Sequence, residues 1–309
     1  MSKLDTLIKL LKNNESIIGP LGDNGLLNWM PDAVYLKLLF SSVMGKKLDL
    51  QNPKTFNEKL QWLKLYDRNP RYSDLVDKVK AKSIIASTIG KEYIVPLIGK
   101  WDNANDIDFS ELPDKVVLKC NHDQGSVRII DNLSCENKDE LVQFYSRRLK
   151  RNPYPGTREF AYRDITPMVF AEEYLGERIV DYKFYCFNGE PKFLYCGQGL
   201  TDDHSLKIDF YNMDWEIMPF YRTDYLRLGE IPKPTHFQEM IDIAKKLSED
   251  VPFVRIDLFE VNDRVYFSEF TLCPASGLMP FVPEEYDLIV GNMLNLEVEG
   301  KAKNNESKF

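Results

Sequence analysis

The clearest periodic segment of the chain opens at Thr55-Phe-Asn-Glu58, after which Phe56, Leu60 and Leu63 recur at intervals of three and four with polar residues between them. That spacing predicts one buried helix face. Thr55 and Glu58 have the form of a capping box, in which each side chain satisfies the other's backbone N–H. Pro53 in front and Asn69-Pro70 behind bound the helix. A second helical stretch is expected from about Ser73 to Ile89, stopping at Gly90, so the first 90 or so residues read as helical. From Tyr93 onward the period changes to two. Short β-rich runs are expected at Tyr93 to Val95, Lys115 to Lys119, Ser126 to Ile130, Val169 to Tyr174, Tyr182 to Phe187, Lys192 to Cys196, Val254 to Glu260 and Val265 to Thr271. Helices return at Lys138 to Arg151 and Thr235 to Glu249. Asn188-Gly189 between two alternating runs is a hairpin signal, because both residues tolerate the positive φ of a tight primed turn. The pattern predicts an α+β body behind a helical arm.

Composition narrows the function classes. The 309 residues are 43% hydrophobic and 28% charged, which suits a globular chain with one large core or two smaller ones. No apolar run approaches the roughly 20 residues of a membrane-spanning helix. The start, Met1 to Leu11, spaces Leu4, Leu7, Ile8 and Leu11 among charges and has no continuous apolar region of the kind that directs secretion. Five cysteines, without a C-x-x-C pair, fit neither a disulfide framework nor a zinc site. They are expected as reduced thiols in a cytoplasmic protein. A net charge of -8 argues against a nucleic-acid partner, which would need clustered Lys and Arg. One basic run, Arg147, Arg148, Lys150 and Arg151, can either contact an anionic polymer or lipid headgroups or be a solvated helix end favoured by the macrodipole.

Three segments carry chemistry. Phe253-Val-Arg255-Ile-Asp257 and Val265-Tyr-Phe-Ser-Glu269-Phe-Thr271 each set an acid into an apolar strand, which is costly unless the acid is paired or binds a cation. A three-residue loop, Asn262 to Arg264, sets Asp257 and Glu269 opposite each other on one face, as a shared Mg²⁺ requires. A two-residue loop sets them on opposite faces. Arg255 shares the face of Asp257 and can meet phosphate oxygens; the alternative is a structural Arg255–Glu269 ion pair on a solvated face. Lys119 ends a strand before the polar loop Cys-Asn-His122-Asp-Gln-Gly125-Ser, an arrangement that offers an ammonium and backbone N–H groups to a phosphate without being a P-loop. Taken alone, Lys119 is a strand-end surface charge and His122 a loop histidine with a structural hydrogen bond. Phe170-Ala-Glu172-Glu173-Tyr174-Leu175 offers a strand edge, whose backbone groups suit adenine.

Read in order, these pieces resemble the ATP-grasp superfamily, and their wording resembles its TupA-like branch, associated with bacterial surface-polysaccharide genes. The resemblance runs from about Asn52 to Asp287 and rests on Pro53 to Asp67, Leu75-Val-Asp-Lys78, Val117-Leu-Lys119-Cys-Asn-His122, Glu172 to Leu175, Asp181-Tyr-Lys-Phe184, Phe187 to Phe193, and Phe253 to Asp257 with Glu269. It implies an ATP-grasp fold in which two α+β subdomains, 91–175 and 176–300, grip ATP, with a helical region 1–90 and a disordered tail 301–309. By this resemblance Lys78 and Lys119 reach the phosphates. Glu172, Glu173, Tyr174 and Leu175 form the adenine hinge, with Glu173 or Asp181 for ribose, and the cation of Asp181-x-Lys183 faces the γ-phosphate. Asp257 and Glu269 hold magnesium, joined by Thr271 where many relatives carry Asn, and Arg255, with Lys183 and His122, serves the reacting group. The implied activity is ATP-dependent joining of a carboxylate to an amine through an acyl phosphate, on a uronic-acid-containing surface polysaccharide or its precursor, with ATP and Mg²⁺ as cofactors. Two other readings remain open. One is a glycosyltransferase using Asp202-Asp203-His204; the other is a non-catalytic grasp-fold protein that binds nucleotide or glycan.

Overall fold

The computed structural model describes residues 17–176, 179–199 and 206–296. The leucine-spaced start Met1 to Leu11, the Asp202-Asp203-His204 segment and the tail from Lys301 lie outside them.

Among the described residues, two antiparallel-rich sheets organise the chain. Strands β1 (Leu97–Trp101), β2 (Val116–Cys120), β3 (Arg128–Ile130) and β4 (Val169–Glu173) form the first, in the order β1-β4-β2-β3. Val116, Leu118 and Cys120 alternate toward the helix Lys138–Arg148, whose Leu141 and Tyr145 complete that core, as the period of two in a strand demands. The second sheet contains β5 (Asp181–Phe187), β6 (Glu190–Gln198), β7 (Lys207–Asn212), β9 (Leu226–Arg227), β10 (Phe253–Val261) and β11 (Arg264–Thr271), in the order β11-β10-β5-β6-β7-β9. Two short strands, β8 (Tyr221–Arg222) and β12 (Phe281–Val282), pair beside it.

Both faces of the second sheet are covered. Phe184, Cys186, Leu194 and Cys196 point to the helix Phe237–Ser248, with Met240, Ala244 and Leu247 against them. The intervening residues Tyr185, Phe187, Phe193 and Tyr195 point the other way, onto the helices Asp32–Met44 and Phe56–Tyr66. The helical arm is thus packed as a third layer. Its anchor is Phe56, fully buried and edge-on to Phe253 at 4.9 Å; a truncation there would cost about 3–5 kcal/mol. The capping box forms as the sequence predicts, with Glu58 N donating to Thr55 Oγ1 at 3.2 Å and Thr55 N donating to Glu58 Oε2 at 3.0 Å.

Several elements differ from expectation. The stretch from Ser73 to Ile89 is two helices, Arg71–Val76 and Lys80–Thr88, because the Asp77 carboxylate accepts from the Val79 and Lys80 N–H groups and caps the second. Tyr93 to Val95 is not a strand: Lys91–Tyr93 is a 3₁₀ turn, and β1 begins only after Pro96, which has no N–H to give a ladder. Ser126 stays outside β3, since its hydroxyl accepts from Cys120 N and its carbonyl from Tyr145 Oη. The helix from Lys138 ends at Arg148, three residues early. Neither β7 nor the helix Glu285–Gly291 was signalled by periodicity.

Candidate functional site

Along one face of β5 and β10 the side chains change from aromatic to charged. Phe187, Tyr185, Lys183 and Asp181 share a face of β5, and Phe253, Arg255 and Asp257 lie opposite them on β10. The β10–β11 turn has two residues, Asn262 and Asp263, both at positive φ, so the three-residue loop is not what forms. With that turn alone, Glu269 would oppose Ile256. A β-bulge after Leu258↔Phe267 absorbs Ser268, and from there Asp257 faces Glu269 and Arg255 faces Thr271. The acids therefore meet on one face by a different route from the one expected.

Lys183, Asp257 and Glu269 make a row across three strands. Asp257 is fully buried; its Oδ1 accepts from Arg255 Nε and its Oδ2 from Arg255 Nη2, both at 2.6 Å, and Oδ2 also accepts from Lys183 Nζ at 2.7 Å. Burial outweighs the pull of Arg255 and Lys183 and raises the Asp257 carboxyl above its ordinary value. With a cation on each oxygen, the carboxylate is charged. Arg255 also donates to Thr271 Oγ1 at 2.9 Å and stands 3.5 Å from Glu269, so the expected Arg255–Glu269 pair exists, but on a buried face and subordinate to Asp257. Burial would raise Glu269, yet Lys78, Lys183 and Arg255 outweigh it and bring the group down to about 2.

A second charge cluster sits on the first sheet. Glu172 on β4 accepts from Lys119 Nζ on β2 at 2.6 Å and from Lys82 Nζ at 2.5 Å, and Lys82 also donates to the Val95 carbonyl at 2.7 Å. Burial pushes Glu172 up, but the two ammonium groups prevail and hold it below the usual carboxylate range. Lys82 carried no signal beyond its place in the helix after Lys78. One expectation is corrected here: β4 lies between β1 and β2, so it is not an edge, and only the chain beyond Glu173, at Tyr174 and Leu175, leaves the ladder. Each oxygen of the Glu172 carboxylate accepts from one lysine.

Lys78 joins the clusters. Its Nζ donates to the Asp123 carbonyl at 2.8 Å and lies 3.4 Å from Glu269 Oε2, while its backbone N–H donates to Asn121 O. Asn121, fully buried, donates to Asp77 Oδ2 and accepts from Met168 N, which fixes the β2–β3 loop at its root. His122 is 1% exposed, and its Nδ1 meets Asn121 Oδ1 at 3.2 Å. Burial pushes its pKa down. Arg148 is turned inward, Nε to Asp123 Oδ2 at 2.7 Å and Nη2 to the Gln124 carbonyl, so it clamps the loop and is not part of an outward basic patch.

A cavity of about 560 Å³ opens here, between His122 to Gln124, the chain from Arg148 to Asn152, and Cys273 to Ser276. Its far wall is strained: Ala275 and Ser276 hold φ of 49° and 51°, a conformation that non-glycine residues keep only when their surroundings enforce it. The capped helix supplies that force. Gln61 Nε2 donates to the Ser276 and Gly277 carbonyls, and buried Lys64 donates to Ser276 O, Ser276 Oγ and Thr157 O.

Asp257 and Glu269 offer hard oxygen donors on one face, already surrounded by cations, and this set fits a magnesium-bound polyphosphate. Thr271 is committed through its hydroxyl to Arg255. Asp181 lies 3.6 Å from Lys183 at the open end of β5. A separate group on the surface, His236, Glu260 and Asp263, has ligand atoms close together; its imidazole is engaged by Asp263 and Glu239 at 3.0 Å each.

A family model described as TupA-like ATPgrasp matches residues 58–295. Among solved structures, the D-alanine–D-alanine ligase of Bacillus anthracis is 16% identical, with 76% of this chain and 70% of that one covered at a TM-score of 0.43. An ATP-grasp ligase, PsnB, complexed with a phosphomimetic variant of its minimal precursor, Mg and ADP, is 11% identical over 77% of this chain and 59% of its own, at 0.39. D-alanyl-alanine synthetase A from Vibrio cholerae is 10% identical over 64% and 56%, at 0.37. Among curated proteins nothing matches.

Proposed function

This chain belongs to the TupA-like ATP-grasp family, and from that premise we propose that it is an ATP-dependent ligase joining a carboxylate to an amine. ATP and Mg²⁺ are the family's cofactors. The observation that carries the reading is the row Lys183–Asp257–Glu269, opposed across three strands and linked by Lys78 to the β2–β3 loop.

In this reading Asp257 and Glu269 hold the metal, with Thr271 beside them. Bound magnesium supplies neutralisation of the phosphate charge. Arg255 and Lys183 stand over the transferred phosphoryl group, where preorganised cations act most strongly. Lys78 and Lys119 take the remaining phosphates. Lys82 keeps Glu172 when Lys119 turns to a phosphate, so the buried carboxylate is never left without a cation. Tyr174 and Leu175 offer backbone groups to adenine, and Glu173 or Asp181 meets ribose. The acid's oxygen accepts the γ-phosphoryl group as ADP leaves; the amine nitrogen then forms the C–N bond as phosphate leaves and a proton is lost. Residues 91–175 and 176–300 act as the small and large halves of the grip. The substrate is a uronic-acid-containing surface polysaccharide or its precursor, and the need for ATP accords with a cytoplasmic site of action.

The test is ADP and phosphate release from Mg-ATP, screened with uronates and nucleotide uronates, with and without small amines. Release that requires one acid and one amine supports the ligase. Tight Mg-ATP binding without release across the panel favours a binding protein, and failure to bind Mg-ATP ends the reading.

A further inference from the structure

We propose that the exposed edge of the helical arm, built on Leu26, Trp29, Val34 and Leu38, is a docking surface for an anionic lipid bilayer.

Among the described residues, twelve large hydrophobic side chains stand in solvent, and five of them, Leu26, Trp29, Val34, Leu38 and Val43, fall within 18 consecutive positions. One such side chain alone needs no explanation, but neighbours on one element do. The helix Asp32–Met44 is the reason they gather. Its Tyr35, Leu36, Leu39 and Phe40 turn into the core shared with the second sheet, so the helical period turns Val34, Lys37, Leu38 and Ser41 outward, and all four are exposed. The turn that leads into the helix adds Leu26 and Trp29, the latter 77% exposed. An indole so placed suits a lipid–water boundary, where the ring meets the acyl edge and its N–H stays wet.

Charge selects the partner. Lys37 and Lys47 are exposed on the same helix and just past its end, whereas Asp32 in its first turn is taken up by Arg68 and Tyr154. Through residue 47 the chain has six lysines against four acids, although it carries -8 as a whole. The sequence in front of the arm has the same composition, with Leu4, Leu7, Ile8 and Leu11 set among Lys3, Lys9 and Lys12. Apolar side chains that enter the headgroup layer, beside lysines whose stems reach round them to anionic lipid, have the chemistry of an interfacial anchor. A second copy fits this face less well. A twofold contact sets each residue near its own counterpart, so the lysines of the two copies would repel.

The surface adjoins the candidate site. Asp23, Asn24 and Gly25, the residues just before Leu26, line the cavity of about 560 Å³, so a docked arm holds the mouth of that cavity at the lipid surface. The basic run from Arg147 to Arg151 is a different surface, and its Arg148 is turned inward onto Asp123.

The test is flotation of the full chain with vesicles of phosphatidylcholine alone and of phosphatidylcholine mixed two to one with phosphatidylglycerol. The wild type should float with the anionic vesicles and not with the neutral ones, and binding should fall as salt rises through about 0.15 M. Trp29→Ser/Leu38→Ser should weaken binding by roughly tenfold or more, and Lys37→Gln/Lys47→Gln by roughly tenfold. All four side chains are exposed in the folded chain, so both variants should melt with the wild type. Arg147→Gln/Lys150→Gln, on the other basic run, should bind as the wild type does. Equal binding by the wild type and the first two variants, equal binding to neutral and anionic vesicles, no binding to either, or a loss confined to Arg147→Gln/Lys150→Gln would each overturn the proposal. So would sedimentation showing a dimer that Trp29→Ser/Leu38→Ser abolishes, which would assign the face to a second copy.

Discussion

The two buried charge clusters are built to opposite rules. On the first sheet one carboxylate, Glu172, serves two lysines, so a positive charge is in surplus before any ligand arrives. On the second sheet Asp257, Glu269 and Asp181 stand against Lys183, Arg255 and the incoming Lys78, so the charges balance. A surplus cation suits a polyphosphate directly. A balanced set suits a metal that arrives with its own anion, because neither cluster is then left with an uncompensated buried charge. Glu172 and Glu269 are both held low by lysines, but only the second sits opposite another acid, which is why that row and not the first reads as a metal site.

The largest effect is expected from Asp257→Asn, which strands Arg255 and Lys183 on a buried face. Removing one partner of such a pair costs about 3–5 kcal/mol, and Mg-ATP turnover should fall below detection while chemical melts report the lost stability. A variant as stable as the wild type would mean that the row is not a coupled unit. Glu172→Gln should cost less, about 1–3 kcal/mol, because Lys82 keeps the Val95 carbonyl and Lys119 is partly in solvent. Its pH dependence sharpens the comparison. Glu172 is depressed in the folded protein, so its stabilisation is present above the ordinary carboxylate value of about 4.3 and is lost as pH falls through the folded value. The gap in melting temperature between wild type and Glu172→Gln should therefore be widest at neutral pH and close on acidification; a gap that widened in acid would contradict the ion-pair account. The smallest effect belongs to Lys80→Ala. Lys80 lies midway between Lys78 and Lys82 in sequence but its side chain is 61% exposed and, among the described residues, pairs with Asp74, so stability should change by no more than about 0.5 kcal/mol and nucleotide affinity not at all. A change as large as that of Glu172→Gln would show that proximity in sequence, rather than burial, sets these contributions.

Much of this was legible because it is local. The capping box is four adjacent residues, the Asn188-Gly189 turn needs only two backbone angles, and acids set in apolar strands announce themselves wherever the strand goes. The family resemblance likewise rests on short runs in fixed order, and the family assignment agrees with it. Lys82 was not legible, because a lysine on a helix looks the same whether its partner is water or a carboxylate 90 residues away. Arg148 looked like the middle of a basic patch until the loop folded back on it.

The sequence by itself determined the helix that starts at Thr55, the strands that carry Lys119, Lys183, Arg255, Asp257 and Glu269, and the family to which those words belong. Period and propensity act over a few residues, and that is enough for elements. Only the tertiary structure decided that Ser268 would be taken up in a bulge, so that Asp257 and Glu269 face each other after a two-residue turn. It alone decided, too, that Gln61 and Lys64 would hold the left-handed turn at Ser276, more than 200 residues further along the chain. Pairing register and the satisfaction of buried polar groups depend on partners brought together by the fold as a whole, and no window of sequence contains both members.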